Sequence, residues 1–219
     1  MRILAIESSA RPASALLWED GRVVSSAYRD CGLNHSRTLL PLCEDVLRAA
    51  ELALSDAQLI AVSAGPGSFT GVRIGVATAK GIAAASGAAT AAVSSLLALA
   101  CNACVQEGML LRPCVDARCG RVYTALFRVE NGFPRRLEED AVRELSELPL
   151  PTEPTLLVGD GAHLLPPAEL WRVAPENLRT ANAYGVALAA ASLPELTVPA
   201  ERLCPIYLQP SQAERNRAK

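Results

Sequence analysis

Three short acid-bearing segments have the residue types for chemistry: Glu7-Ser8-Ser9, Asp116-Ala117-Arg118 and Gly159-Asp160-Gly161. Each follows an apolar run and sets a carboxylate among small or hydroxyl neighbours. An acid so placed can hold water or a Mg²⁺ shell, and the glycines can admit a phosphate or a ribose. Asp and Gly are also ordinary turn residues, so each segment alone reads equally well as a turn. A fourth segment, Gly65-Pro66-Gly67-Ser68-Phe69-Thr70-Gly71, lies between an apolar run and a helical one, where backbone N–H groups can cradle an anion. It is not a Walker loop, because no Gly-Lys-Ser/Thr follows and position 73 is Arg. Its glycine spacing is one residue too long for a dinucleotide fingerprint. Ser68 lacks the flanking glycines of a nucleophile elbow. The segment is either an anion cradle or a tight strand-to-helix turn capped by Ser68 or Thr70.

The elements that must position these segments follow from pattern. Residues 2–6, 14–19 and 22–28 read as strands, the last two joined at Asp20-Gly21, a two-residue hairpin signal. A helix near 37–51, a strand at 59–64, a helix near 69–86, a strand near 88–93 and a helix near 94–106 complete the first half. Pro41 suits its helix only near the first turn. Strands near 109–116, 121–129 and 133–138, a short helix near 141–147, a strand at 155–158 and a helix near 180–192 make up the second. Three strands followed by alternating helix and strand occur twice. That pattern predicts two related α/β lobes, 1–106 and 107–219, meeting at a cleft that all the acidic turns face.

The first-lobe helices offer a partner surface. Leu39, Leu42, Cys43 and Val46 recur at helical spacing, and Gly67, Gly71, Gly75 and Ala79 line one face of the next helix. Small residues there let a second backbone approach closely. That backbone is either the chain's own sheet or a partner. Ile74 lies on the opposite face, so the helix is apolar or small nearly all round and expects burial on more than one side.

Composition narrows the function. Of 219 residues, Lys+Arg 21 against Asp+Glu 23 gives a net charge of −2, so no basic excess drives nucleic-acid binding. An acid at Glu7 comes too early for a signal peptide. The uncharged run 81–106 is mostly Ala, Gly, Ser and Thr, poor material for a membrane span. A cytoplasmic protein without membrane contact is expected. Its seven cysteines then read as free thiols. Cys101-x-x-Cys104, with Cys114 and Cys119, has the ligand types of a zinc site, but the pair falls in a helical run without a knuckle glycine.

Taken together, Ile3 to Ser9, His35-Ser36-Arg37 running to Pro41, Gly65 to Gly75, Val93 to Leu96, Asp116-Ala117-Arg118 with Val122-Tyr123, and Pro205-Ile206-Tyr207-Leu208 resemble the TsaB (YeaZ) family. The resemblance implies two ribonuclease-H-like lobes of the actin, sugar kinase and heat-shock ATPase type. It implies a non-catalytic partner of TsaD, joined by the ATPase TsaE, in forming threonylcarbamoyl on adenosine 37 of tRNAs that read ANN codons. On that reading the chain requires no cofactor, ATP or ADP enters at the level of the complex, and tRNA is met only through it. The chain alone is expected to form homodimers through its first-lobe helices. TsaD binds metal through His-x-x-x-His, whereas His35 has Leu39 and Cys31 four residues away, so no metal and no catalytic residue is assigned here. The first turn carries Glu7 where the family usually has Asp. The alternative is an independent nucleotide hydrolase or a peptidase.

Overall fold

The computed structural model describes residues 1–30, 32, 34–104 and 106–210. The frayed tail expected after Leu208 falls mainly on 211–219, outside the described residues. Apolar β1 (Arg2–Glu7), β2 (Ala13–Glu19) and β3 (Arg22–Arg29) form an antiparallel meander. Its second hairpin, between β2 and β3, turns at Asp20 and Gly21 with φ of 49° and 88°, the positive values such a turn demands. α1 (His35–Arg48), β4 (Leu59–Gly65), α2 (Phe69–Ser86), β5 (Ala89–Ser94) and α3 (Ser95–Asn102) follow. β4 pairs parallel to β1, and β5 parallel to β4. Pro41 lies in the second turn of α1, not the first. Both Pro41 and Arg37, whose carbonyl loses its i+4 donor, are exposed residues, so water can stand in for the missing N–H.

The second lobe repeats the plan with β6 (Leu110–Arg118), β7 (Arg121–Glu130), β8 (Phe133–Glu144), β9 (Thr155–Val158) and β10 (Trp171–Val173). Its strand order β10-β9-β6-β7-β8 matches β5-β4-β1-β2-β3 of the first sheet position for position. The short helix expected near 141–147 is the end of β8 and a 3₁₀ turn at Leu145–Glu147. Pairing of Ala141 and Val142 with Thr124 and Tyr123 of β7 gives that backbone partners a lone helical turn cannot match. α3 stops at Asn102, short of 106.

α4 (Ala183–Ser192) and β11 (Thr197–Val198) cross back to the first sheet, where β11 pairs with β5 and α4 packs on α3, β1 and β2. The change of sheet between α3 and β6 is therefore only the first crossing, and residues 183–198 belong with the first lobe. α1 and α2 cover one face of the first sheet around Leu4, Ile6, Leu42 and Val76. α3 and α4 cover the other face, and their core runs on into Leu111, Ala125 and Phe127 of the second sheet. The two lobes thus share apolar packing behind the cleft.

Candidate functional site

The floor of the cleft is the turn after β1. Glu7 is fully buried, its Oε1 accepting the Ser9 N–H at 2.5 Å and its Oε2 without a partner. Burial pushes its carboxyl above the usual range, against the pull of the Ser9 hydrogen bond. Behind it, the Ser63 and Ser95 hydroxyls lie 2.7 Å apart.

The glycine loop presses onto this turn. A Cβ at Gly67 would meet the Ser9 carbonyl oxygen at 2.5 Å, one at Gly71 the Ser8 carbonyl oxygen at 2.1 Å, and one at Gly75 the Ser8 Oγ at 2.4 Å. The Ser8 hydroxyl donates to the Gly71 carbonyl at 2.9 Å. The amides are engaged too: Ser68 N donates to the Ser9 carbonyl, Gly71 N to Ser68 Oγ and Val72 N to the Ser68 carbonyl. The segment is a tight strand-to-helix turn with Ser68, not Thr70, as its cap.

The same contacts overturn the partner surface expected from helical spacing. Leu39, Leu42, Cys43 and Val46 are buried in the core shared by α1, α2 and the first sheet. Gly71, Gly75 and Ala79 are buried against β1, β4 and the Ser8 turn. Of the eight residues only Ile74 is partly exposed. The outward faces carry Leu40 and Pro41 on α1, and Ala77 and Gly81 on α2, with Ile74 and Thr78 half-buried beside them. Periodicity identified the stripe but not the neighbour that covers it.

Between the lobes lies a cleft with two arms. The narrow arm, about 310 Å³, is lined by Ser9, Gly67, Asp116, Arg118 and Asp160 among the expected residues, with Phe69, Tyr123 and Tyr207. The wide arm, about 820 Å³, shares Ser9 and Asp160 and adds Arg11, Tyr28 and a strip from Glu176 to Asn182. Glu7, Ser8, Gly65, Gly159 and Gly161 are buried behind these walls. Gly159 (φ 101°) and Gly161 serve a close approach, since their Cβ atoms would fall 2.2 Å from the Cys114 carbonyl and 2.9 Å from Asp116 N. Asp160 Oδ1 accepts the Asp116 N–H at 3.0 Å, and surrounding protein raises its pKa. Asp116 is engaged by its own turn, accepting Arg118 N at 2.7 Å and facing Arg118 Nη1 at 3.1 Å.

The wide-arm strip escaped the sequence reading because 174–182 carries no motif; Asn182, which caps α4, was its only local signal. His35 opens α1, buried, with Nε2 3.0 Å from the Ala10 carbonyl; a carbonyl only accepts, so this nitrogen donates. Among the described residues no three His, Cys, Asp or Glu side chains gather to hold a metal, and the zinc reading finds no support there. Among them, too, no helix is long and apolar enough to cross a membrane.

Strand order and cleft define a two-lobed α/β protein of ribonuclease-H-like architecture. A family model described as TsaD: tRNA N6-adenosine threonylcarbamoyltransferase matches residues 29–172. The tRNA threonylcarbamoyladenosine biosynthesis protein TsaB of Escherichia coli is 38% identical, over 65% of this chain and 62% of its own length. That of Bacillus subtilis is also 38% identical, over 64% and 61%. The matches thus span about six-tenths of these curated relatives. The solved structure of YeaZ from Pseudomonas aeruginosa superposes with a TM-score of 0.84 at 28% identity, covering 94% of this chain and 99% of that one. A second Pseudomonas aeruginosa structure, described as similar to peptidase YeaZ, matches equally well. The chain belongs to this family, on its TsaB/YeaZ side.

Proposed function

We propose that this chain is a non-catalytic partner of a TsaD-type transferase in forming threonylcarbamoyladenosine in tRNA, as the names of its relatives suggest. The observation that carries the reading is the self-filled glycine loop. Its close approaches are made to the chain's own Ser8 and Ser9, and two of its amides, those of Ser68 and Gly71, are bonded to Ser9 and Ser68, which supports a loop that packs the fold and does not turn over a nucleotide. On this reading TsaD and TsaE join the chain, ATP or ADP is used by the assembly, tRNA is met through it, and the setting is the cytoplasm.

The hydrolase or peptidase reading needs a nucleophile with its base. Ser68 Oγ is instead a helix cap and His35 is bonded to a backbone carbonyl. The partner surface we assign is the outward face of α1 and α2 around Leu40, Ile74, Ala77 and Gly81. Its small residues allow close backbone approach, and a homodimer of the isolated chain would use the same face.

The test mixes the purified chain with TsaD and TsaE and follows modification of tRNA. The assembly should form product while the chain alone should not. Ala77→Arg should weaken pairing by about one to two decades through overpacking of about 1–3 kcal/mol, with unchanged melting. ATP turnover by the chain alone at about 1 s⁻¹ or more would end the proposal, as would undiminished pairing of Ala77→Arg.

A further inference from the structure

The Pro205-Ile206-Tyr207-Leu208 motif has no part in the reading above, yet the segment around it is tied to both lobes. Leu203 is fully buried in the core beneath α2, and the Ile206 N–H donates to the Ala64 carbonyl at 2.7 Å. Its passage depends on Gly65, whose Cβ would stand 2.6 Å from the Ile206 carbonyl oxygen. Tyr207 then lies on Phe69 with ring centroids 4.6 Å apart, and Arg73 Nε donates to its phenol oxygen at 2.7 Å. The Arg73 guanidinium is itself 3.9 Å from the Phe69 ring centre. Two residues further on, Gln209 Nε2 donates to the Tyr123 hydroxyl at 2.5 Å and to the Ala117 carbonyl at 3.3 Å, both on the second lobe.

We propose that residues 203–209 are an interlobe clamp, anchored on the first lobe through Tyr207 and hooked to the second through Gln209, which sets the width of the narrow arm. Two residues of extended chain reach at most about 7 Å. The walls therefore cannot part further at this mouth without releasing one anchor. The shared α3/α4 core lies behind the cleft, so the clamp acts where separation would be greatest. Tyr207 is 44% exposed despite its three contacts, as befits a latch and not a core residue.

The test places spin labels, carried on unnatural amino acids at positions 44 of α1 and 139 of β8, in the full chain. The wild-type chain should give one narrow distance distribution. Gln209→Ala and Tyr207→Ala, which release opposite anchors, should both broaden it. Both should raise amide exchange across 117–123 about tenfold, the factor expected for a lost hydrogen bond or two. Tyr184→Ala, removing a similarly exposed aromatic elsewhere, should change neither. Unchanged distances and exchange in the two clamp variants would overturn the proposal. So would loss of protection throughout β1 and β4 in either variant, since the segment would then be part of the core.

Discussion

Two glycines of α2 should respond to the same substitution with opposite signs. An alanine at Gly71 places its methyl 2.1 Å from the Ser8 carbonyl oxygen, a backbone atom that cannot rotate aside. Overpacking of this kind costs up to about 3 kcal/mol, and the helical preference for Ala over Gly returns about 1 kcal/mol. The net loss is about 2 kcal/mol, or roughly 4–8 °C of melting temperature for a chain of this size. At Gly81, on the same helix, a methyl meets nothing within 4 Å, and no positive φ opposes it. Gly81→Ala should therefore gain about 1 kcal/mol, raising the melting temperature roughly 2–4 °C. Thermal unfolding of both variants by circular dichroism, at a concentration where the chain is monomeric, checks the pair. If Gly71→Ala melts with the wild type, or both variants fall together, the glycine loop does not pack on the Ser8 turn as described.

Glu7, its pKa raised by burial, should cost stability as pH climbs. The native chain holds a proton that the unfolded chain has lost, so this contribution is intact below the ordinary carboxylate value and declines above it. Melting of Glu7→Gln should improve relative to wild type as pH rises from 4 to 8; a constant offset would refute the assignment. Native alkylation at neutral pH, read by peptide mass spectrometry, should modify exposed Cys119 and Cys204. It should spare buried Cys43 and Cys114, whose thiols burial pushes up to about 12. Equal labelling of Cys43 and Cys204 would contradict the packing of α1. Binding of tRNA by the chain alone should be weak and vanish by about 200 mM salt, given a net charge of −2; sub-micromolar binding that survives such salt would exclude it.

Much of this fold was legible because local rules governed it. The meander was announced by Asp20-Gly21 and by apolar runs, and α2 was bounded by Ser68 and by Gly87, left-handed at φ 74°. What escaped was set from a distance. β11 has two residues and exists only because β5 offers an edge, and β8 extends past its expected end because β7 continues beside it. In the site, the three acidic segments were readable as turns, and Ser9, Asp116, Arg118 and Asp160 do line the cleft. Whether a glycine makes room for a ligand or for the chain's own carbonyl has no local signature. Here the carbonyls of Ser8 and Ser9 stand some sixty residues away in sequence.

The return of α4 and β11 to the first sheet also has a mechanical meaning. Behind the cleft, among the described residues, the backbone passes between the lobes twice, once between α3 and β6 and again between β10 and α4, while the 203–209 segment bridges them at the mouth. Two such ties mark out an axis, leaving rotation about it as the softest relative motion. Translation or shear would strain both ties and the apolar packing of α3 and α4 between them. The cleft mouth, being far from that line, has the long lever arm. A small rotation in the buried packing is therefore magnified at Asp116, Arg118 and Tyr207, and a modest force applied there is felt in the α3/α4 core.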